Sequence, residues 1–295
     1  MGYAEWSLRR PQLAQPILMS MIGLTCFFWL SCVLPAAADW PQAAGPNHNF
    51  NIAGNAPESF SVSENKNVIW RSPLPSTGQG TAIVSAGRIF VTSHEPIEQD
   101  TEMGKDILGM CFDAESGKEL WRRTIPGTRR TDLSSLFSDN TAASPVADGE
   151  HVCFVNVGGG IKCFDYDGNE IWSYQWVPFG RHHARLHEPL LHDGNIITMQ
   201  YPDTDLQAKH TTKPGAKPLG RERKYWTHLQ AFDLKTGKRK WIAAAGTSIH
   251  QTSLLGRRTD GALAILTGRG GGHQPPEEVV NFDKKHARPI LKDLI

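Results

Sequence analysis

A short unit that recurs three times constrains the fold of this chain more than any other feature. In each copy a hydrophobic strand leads into an Asp, a turn that contains Gly, and a closing Trp. The copies are CFDAESGKELW at 111–121, CFDYDGNEIW at 163–172 and AFDLKTGKRKW at 231–241. A unit that returns every few tens of residues indicates a repeat architecture, so function must be interpreted through the repeat.

The residues that recur at the same positions of each copy have a physical reason to be there. An Asp after a strand can accept hydrogen bonds from backbone N–H groups of the turn, and Gly can take the left-handed conformation that the turn requires. A Trp that is buried between neighbouring repeats contributes roughly several kcal/mol of stability. We therefore expect a structural role in docking one repeat on the next for Asp113, Asp165, Asp233, Gly117, Gly168, Gly237, Trp121, Trp172 and Trp241.

The sequence around these units is typical of an all-β fold. Turn signals at Ala86-Gly87, Asp148-Gly149 and Asp193-Gly194 separate short runs of β-branched and aromatic residues, and each pair of runs predicts a hairpin. No long stretch after residue 38 has a 3.6-residue period. Two hairpins per unit predict a β-propeller of four-stranded antiparallel blades over 66–282, incomplete, with about four blades. Strand NVIW is expected to end at Trp70.

The spacing of the closing tryptophans locates an insertion. Trp121 and Trp172 are 51 residues apart, whereas Trp172 and Trp241 are 69 residues apart. The longer interval contains the polar, basic segment 206–224, which we predict to be a loop inserted in the third blade. Such a loop is most simply a solvated one, and the alternative is that it binds an acidic partner.

The N-terminal region predicts export. Arg9 and Arg10 precede an apolar run of 18 residues at 17–34, which Ala36-Ala37-Ala38 follows, and this pattern predicts a signal peptide over 1–38. A transmembrane anchor, a twin-arginine signal at 7–10 and a lipoprotein site at Cys32 are the alternatives. We expect no transmembrane domain after cleavage, an extended lead-in over 39–65 and an irregular tail over 283–295. The expected location is the periplasm, the outer-membrane periphery or the extracellular space.

Charge and cysteine content narrow the classes of partner. Removal of residues 1–38 leaves 31 − 2 = 29 basic and 30 − 1 = 29 acidic residues, so no net field attracts nucleic acid or an anionic membrane. Cys111, Cys153 and Cys163 remain. Cys153 and Cys163 would be near cross-strand partners in a hairpin, but we expect two buried thiols because opposed hairpin positions rarely suit a disulfide.

The repeat resembles the pyrroloquinoline quinone (PQQ) repeat family, whose blades carry A-x-D-x-x-T-G-x-x-x-W. The copy at 231–241 matches every specified position, the copy at 111–121 has Cys for Ala and Ser for Thr, and the copy at 163–172 is one residue short. The opening DWPQAAGPNHN also looks like the start of exported bacterial members. The resemblance implies an eight-bladed ring. Only about half of one is present, so we expect either a truncated product or self-association that completes the propeller.

The resemblance is compatible with three alternative functions and identifies no specific site. We expect a non-catalytic binding or scaffold module with protein partners, and the alternatives are a PQQ-dependent oxidoreductase or its degenerate relative and a factor for outer-membrane protein assembly. The enzyme would need PQQ with calcium, and such members typically carry adjacent cysteines, which this chain lacks. We therefore predict no catalytic residue and no cofactor.

A group of histidines is the remaining candidate for chemistry. His182, His183, His187 and His192 lie within twelve residues, and imidazoles at this density can bind zinc. Their spacing matches no zinc signature on a strand, so we predict a polar loop and no metal site.

Overall fold

The computed structural model describes residues 3–6, 39–54, 57–96, 104–130, 139–177, 185–186, 188–200, 226–247, 249–250, 253–267 and 290–293. Regular structure within these ranges consists of strands alone. None of the residues that are described forms a helix long and apolar enough to cross a membrane. The segment 206–224 and the histidines at 182, 183 and 187 lie outside the described residues.

Nineteen strands follow one another within the described ranges. They are β1 (Tyr3–Trp6), β2 (Trp70–Pro73), β3 (Ile83–Ser85), β4 (Arg88–His94), β5 (Ile107–Asp113), β6 (Glu119–Ile125), β7 (Val146–Ala147), β8 (His151–Asn156), β9 (Gly160–Asp165), β10 (Glu170–Gln175), β11 (Arg185–Leu186), β12 (Leu190–His192), β13 (Asn195–Gln200), β14 (Trp226–Asp233), β15 (Arg239–Thr247), β16 (Ile249–His250), β17 (Leu254–Arg257), β18 (Leu263–Thr267) and β19 (Ile290–Asp293).

Three four-stranded antiparallel sheets form the body of the molecule. Strands β3 to β6 make blade 1, β7 to β10 make blade 2, and β12 to β15 make blade 3, each in simple sequential order. Strands β17, β18 and β19 make a three-stranded sheet, β1 pairs with β2, and β11 pairs in parallel with β16. The prediction of an all-β fold with several four-stranded antiparallel blades is confirmed.

The tight hairpins that begin blades 1 and 3 have a common cause. Ala86 and Gly87 in the first, and Asp193 and Gly194 in the second, all have positive φ. Two consecutive residues of positive φ form a type I′ turn, whose twist matches that of the flanking strands. The two-residue loops therefore fix the register at the start of each blade, with Ser85 opposite Arg88 and His192 opposite Asn195.

The core lies between the blades. Phe90 and Trp121 of blade 1 pack in one buried cluster with Phe154 and Phe164 of blade 2. A second buried cluster joins blade 2 to blade 3 and includes Phe232. Aromatic rings are spaced for edge-to-face contact, with 6.3 Å between the ring centres of Phe90 and Phe154. Stacking of sheet on sheet thus buries the apolar face of each blade.

Cys153 and Cys163 form a disulfide across the β8–β9 hairpin. They are direct register partners, and their Cα atoms lie 4.1 Å apart. The expectation of two unbonded thiols is therefore wrong, because the close pairing of these two positions brings the sulfur atoms within bonding distance. Cys111 is a free, buried cysteine, and burial raises the pKa of its thiol to about 12.

Three boundaries differ from the sequence prediction. Strand β2 begins at Trp70 where the pattern predicted an end, and its described partner is β1, which lies within the predicted signal peptide. Strand β19 lies within 283–295, so the prediction of an irregular tail is wrong at Ile290–Asp293, where pairing with β18 supplies the order. The lead-in is made of turns over 42–50 and is not extended there.

Candidate binding face

The Asp of each repeated unit organises its own turn. The Asp113 carboxylate accepts hydrogen bonds from the backbone N–H of Ser116 at 2.8 Å and from its hydroxyl at 2.6 Å. Asp233 accepts the equivalent pair from Thr236, both at 2.9 Å. In the shorter middle copy Asn169 replaces the hydroxyl residue, and its side-chain amide donates to Asp165 at 2.8 Å.

These hydrogen bonds hold the three carboxyl groups in their charged form. Bonds from Ser116 lower the pKa of Asp113, and bonds from Lys240 and then Thr236 lower the pKa of Asp233. Burial alone would raise the pKa of Asp165, but the bonds from Asn169 outweigh it and the net shift is downward. Each carboxylate therefore accepts hydrogen bonds within its own turn.

Trp121 and Trp172 each contact the repeated turn of the blade that follows, and Trp70 contacts the repeated turn of blade 1 in the same way. The indole N–H of Trp70 donates to the carbonyl of Ala114 at 3.0 Å, that of Trp121 to Tyr166 at 3.0 Å, and that of Trp172 to Leu234 at 2.7 Å. The acceptor is in every case the residue that follows the motif Asp. Trp70 therefore occupies the position of a closing Trp ahead of blade 1, although no repeated unit precedes it.

The motif glycines make room for these indoles. Gly117, Gly168 and Gly237 all have positive φ, and an added Cβ would lie 2.4, 2.9 and 2.6 Å from the rings of Trp70, Trp121 and Trp172. Each glycine is thus required twice, once by its backbone conformation and once by the ring above it. Trp241 packs beside the buried residues of blade 3 and β18, and among the described glycines none lies against it.

All of these turns lie at one end of the blades, which we call the short-turn face. It carries the hairpin turns 86–87, 148–150 and 193–194 and the motif turns 114–118, 166–169 and 234–238. The two kinds of turn are joined, since the N–H of Ala114 donates to the carbonyl of Gly87 and the N–H of Leu234 to that of Gly194. The backbone of this face is therefore largely occupied by contacts within and between blades.

The opposite end, which we call the long-connection face, is built differently. The described parts of two connections lie there, 95–96 with 104–106 after β4 and 126–130 with 139–145 after β6, together with the turn 157–159 between β8 and β9. Large loops held by a rigid scaffold are the usual carriers of binding function. The described ends of these connections show how the scaffold holds them.

Two buried asparagines hold the connections of blades 1 and 2 together. The side-chain amide of Asn140 donates to the carbonyls of Lys105 at 3.1 Å and Arg129 at 2.9 Å. That of Asn156 donates to Lys105 and Ile125, both at 2.9 Å. Both asparagines are fully buried, and buried amides that are fully hydrogen-bonded fix the geometry of the loops they join.

A buried imidazole and a carboxylate pair at the same end. Nε2 of His94 lies 3.2 Å from the Asp139 carboxylate, although its N–H direction is not aligned with the oxygen. Burial alone would raise the pKa of Asp139, but His94 and Thr141 outweigh it and lower the pKa. The backbone N–H of Asp139 also donates to Gln79 at 2.8 Å, which links the residues that precede β3 and β7.

The segment that precedes blade 3 joins this chain of contacts. The Glu188 carboxylate accepts a hydrogen bond from the N–H of Ser144 at 2.8 Å, and the Ser144 hydroxyl accepts one from the N–H of Thr81 at 2.8 Å. Burial raises the pKa of Glu188 in spite of its bonds from Ser144. Hydrogen bonds between side chains and the backbone therefore connect the residues that precede the first strand of each of the three blades.

Thr141 lies beside the His94–Asp139 pair and is itself hydrogen-bonded. Thr141 donates its hydroxyl to Asp139, and its backbone carbonyl accepts from Thr92, so the hydroxyl nearest the His94–Asp139 pair is already committed. No group of three or more His, Cys, Asp or Glu side chains among the described residues could hold a metal ion.

The sequence predicts nine structural residues in the repeated units, but it does not predict the residues that hold the long-connection face. Asn140, Asn156, His94, Asp139 and Glu188 belong to no repeated pattern. The available signal was a polar residue at the end of an apolar run, as with Asn156 after HVCFV. Of the four histidines weighed as zinc ligands only His192 is described, and its ring lies 6.3 Å from that of His48.

The chain matches a known family model and is similar to several solved structures. A PQQ-repeat family model, described as outer membrane protein assembly factor BamB, matches residues 60–212 and 109–243. No curated protein matches the sequence. Among solved structures, BamB from Moraxella catarrhalis is 18% identical with a TM-score of 0.38, and the match covers 68% of this chain and 49% of that one.

Two dehydrogenase structures are also similar. Quinohemoprotein alcohol dehydrogenase from Comamonas testosteroni is 16% identical with a TM-score of 0.39, over 69% of this chain and 36% of that one. A europium-containing methanol dehydrogenase is 14% identical with a TM-score of 0.35, over 58% of this chain and 25% of that one. The matched part of each of these structures is less than two thirds of its length. The family model spans residues 60–243 in its two matches, more than half of the sequence, and the chain therefore belongs to the PQQ-repeat β-propeller family that includes BamB.

Proposed function

We propose that this chain is an exported, non-catalytic propeller module that binds protein partners through its long-connection face. The difference between the two faces carries the proposal. On the short-turn face the motif carboxylates are used within their turns and the indoles between blades, whereas on the long-connection face a buried amide network holds the described ends of the connections. A near-zero net charge after removal of residues 1–38 favours protein over nucleic acid as the partner.

The family suggests a finer role in the assembly of outer-membrane proteins. The matching model is described as an outer membrane protein assembly factor, and the predicted signal peptide would bring the chain to the compartment where such a factor works. The periplasm or the periphery of the outer membrane is therefore the proposed location. A lipid on Cys32 would place the module at the membrane surface, and labelling with a radioactive fatty acid would detect it.

The competing function is PQQ-dependent oxidation, which predicts a different experimental result. The mature protein is mixed with PQQ and Ca²⁺, passed through a desalting column and tested for retained quinone absorbance and for reduction of a dye with short alcohols. Binding without catalysis predicts neither signal, and a known quinoprotein alcohol dehydrogenase treated in the same way serves as the positive control. Retained quinone together with alcohol-dependent dye reduction would overturn the proposal in favour of an oxidoreductase.

A further inference from the structure

The segment 39–45, which lies directly after the predicted cleavage site, contacts the first strand of every blade. The N–H of Trp40 donates to the carbonyl of Val84 in β3 at 2.8 Å, and the N–H of Val84 returns to Trp40 at 3.0 Å. The carbonyl of Pro41 accepts from Ala147 in β7 at 2.9 Å. The side-chain oxygen of Gln42 accepts from the N–H of Leu191 in β12 at 2.9 Å.

These three contacts supply a hydrogen-bond partner to the first strand of each blade, which lies at an edge of its sheet. Strands β3, β7 and β12 are edge strands of their sheets, and neighbouring ones lie next to each other. An edge strand presents unpaired N–H groups, which are costly to bury without a partner. Three consecutive residues of one segment thus supply one acceptor to each of three sheets.

The segment is packed as part of the core. Gln42 and Ala44 are each only 2% exposed. The indole N–H of Trp40 donates to the carbonyl of Ala43 at 3.1 Å, and its ring covers Gly45, where an added Cβ would lie 3.0 Å from it at a φ of +72°. A turn that closes on its own Trp holds the three acceptors in a fixed relation.

We propose that residues 39–45 are a clamp that fixes the relative positions of three blades and covers the edges of their first strands. Asp39 accepts from the N–H of Ala86 at 3.1 Å, which places the beginning of the clamp at the short-turn face. The clamp then hinders access to these strands from the short-turn face. The clamp does not depend on the proposed binding function, because it is defined by contacts within the chain.

Hydrogen exchange of the full mature chain, measured by mass spectrometry or NMR, tests the clamp. Gln42→Met keeps the volume of the side chain and removes its acceptor, so exchange of the Leu191 amide should rise about fivefold, as expected for one lost hydrogen bond. Trp40→Ala releases the whole turn and should raise exchange at Val84, Ala147 and Leu191 together. Asn49→Ala, an exposed change in the same lead-in, is the matched control and should leave all three unchanged.

The two variants distinguish a clamp from a passive segment. If Trp40→Ala fails to fold, Gln42→Met still gives a local result, since it deletes one contact to one blade. Unchanged exchange at Leu191 in a folded Gln42→Met protein would overturn the proposal. A rise of equal size in all strands would also overturn it, because that pattern indicates general destabilisation without a specific bridge.

Discussion

At the scale of single residues, the glycine of each repeated turn is as informative as the Trp. Gly237 has a φ of +66°, and an added Cβ would lie 2.6 Å from the Trp172 ring. Gly194 in the same blade has a φ of +64° and no atom within 4 Å of an added Cβ. The two positions have nearly the same φ and differ in the docked ring, so they form a matched pair.

Replacement by alanine should separate strain from docking. Gly194→Ala should lower the free energy of unfolding by about 1 kcal/mol, the cost of a left-handed non-glycine residue. Gly237→Ala should lower it by about 3 kcal/mol, because overpacking against the Trp172 ring adds about 2 kcal/mol. Urea unfolding of both proteins measures the difference. Equal losses would contradict the docking of Trp172 on this turn.

A second prediction at this scale concerns pH. Burial, and then the charge of His192, lower the pKa of His48 below its usual value. A histidine whose pKa is lowered on folding binds its proton more weakly in the folded state, so stability is full above pH 6.5 and falls as the pH drops through the folded pKa. His48→Asn does not titrate, and Asn tolerates the φ of 54° at this position.

The measurement is the free energy of unfolding of both proteins between pH 7.5 and 5. The parent should lose stability relative to His48→Asn as the pH falls, and the difference between the two curves isolates His48 from the other histidines. Two parallel curves would show that the His48 environment in solution does not disfavour the imidazolium.

At the scale of elements, the β8–β9 hairpin of blade 2 is held by the Cys153–Cys163 disulfide. Closure of a loop of this length restricts the unfolded chain and stabilises a protein by about 3 kcal/mol. Reduction, or the double change Cys153→Ala with Cys163→Ala, should therefore lower the free energy of unfolding by about that amount. The Cys111→Ala variant keeps the disulfide, so reductant should still lower its free energy of unfolding. Identical stability of reduced and oxidised protein would contradict a structural bridge.

The elements that the sequence predicts best are those with a local signal. The hairpins of blades 1 to 3 follow from turn residues and alternating side chains, and the structure has them at β3–β4, β5–β6 and their counterparts. Strand β19 lacked such a signal, since its order comes from pairing with β18. Similarly, the disulfide depends on the register of one pair, which composition does not determine.

The candidate site was harder to predict for the same reason. The hydrogen bond of Gln42 reaches 149 residues along the chain to Leu191, and Asn156 contacts a carbonyl 51 residues away. Such contacts are fixed by how the blades stack, and a single sequence contains no pattern for them. The motif turns are the opposite case, because their Asp, Ser or Thr and Gly interact within a few residues.

At the scale of the whole molecule, the described chain contains three complete blades and a three-stranded sheet. Among the described residues no motif turn lies against Trp241, and edge strands favour association, so we propose that copies of the chain associate through the outer blades. Native mass spectrometry of the mature protein should show dimers or larger species that dissociate on dilution. A folded monomer at every concentration would contradict this.

The central claim is that the long-connection face is the recognition surface and the short-turn face is structural. A photo-crosslinking amino acid is placed at Glu95 or Val177 on the long-connection face, and at Lys118 or Glu150 on the short-turn face. All four are exposed residues. The full chain with its leader is expressed in cells, and covalent adducts are identified by mass spectrometry after irradiation. Discrete protein adducts are expected from Glu95 or Val177 and none from Lys118 or Glu150. Adducts confined to the short-turn face, or no adduct from any position, would contradict it.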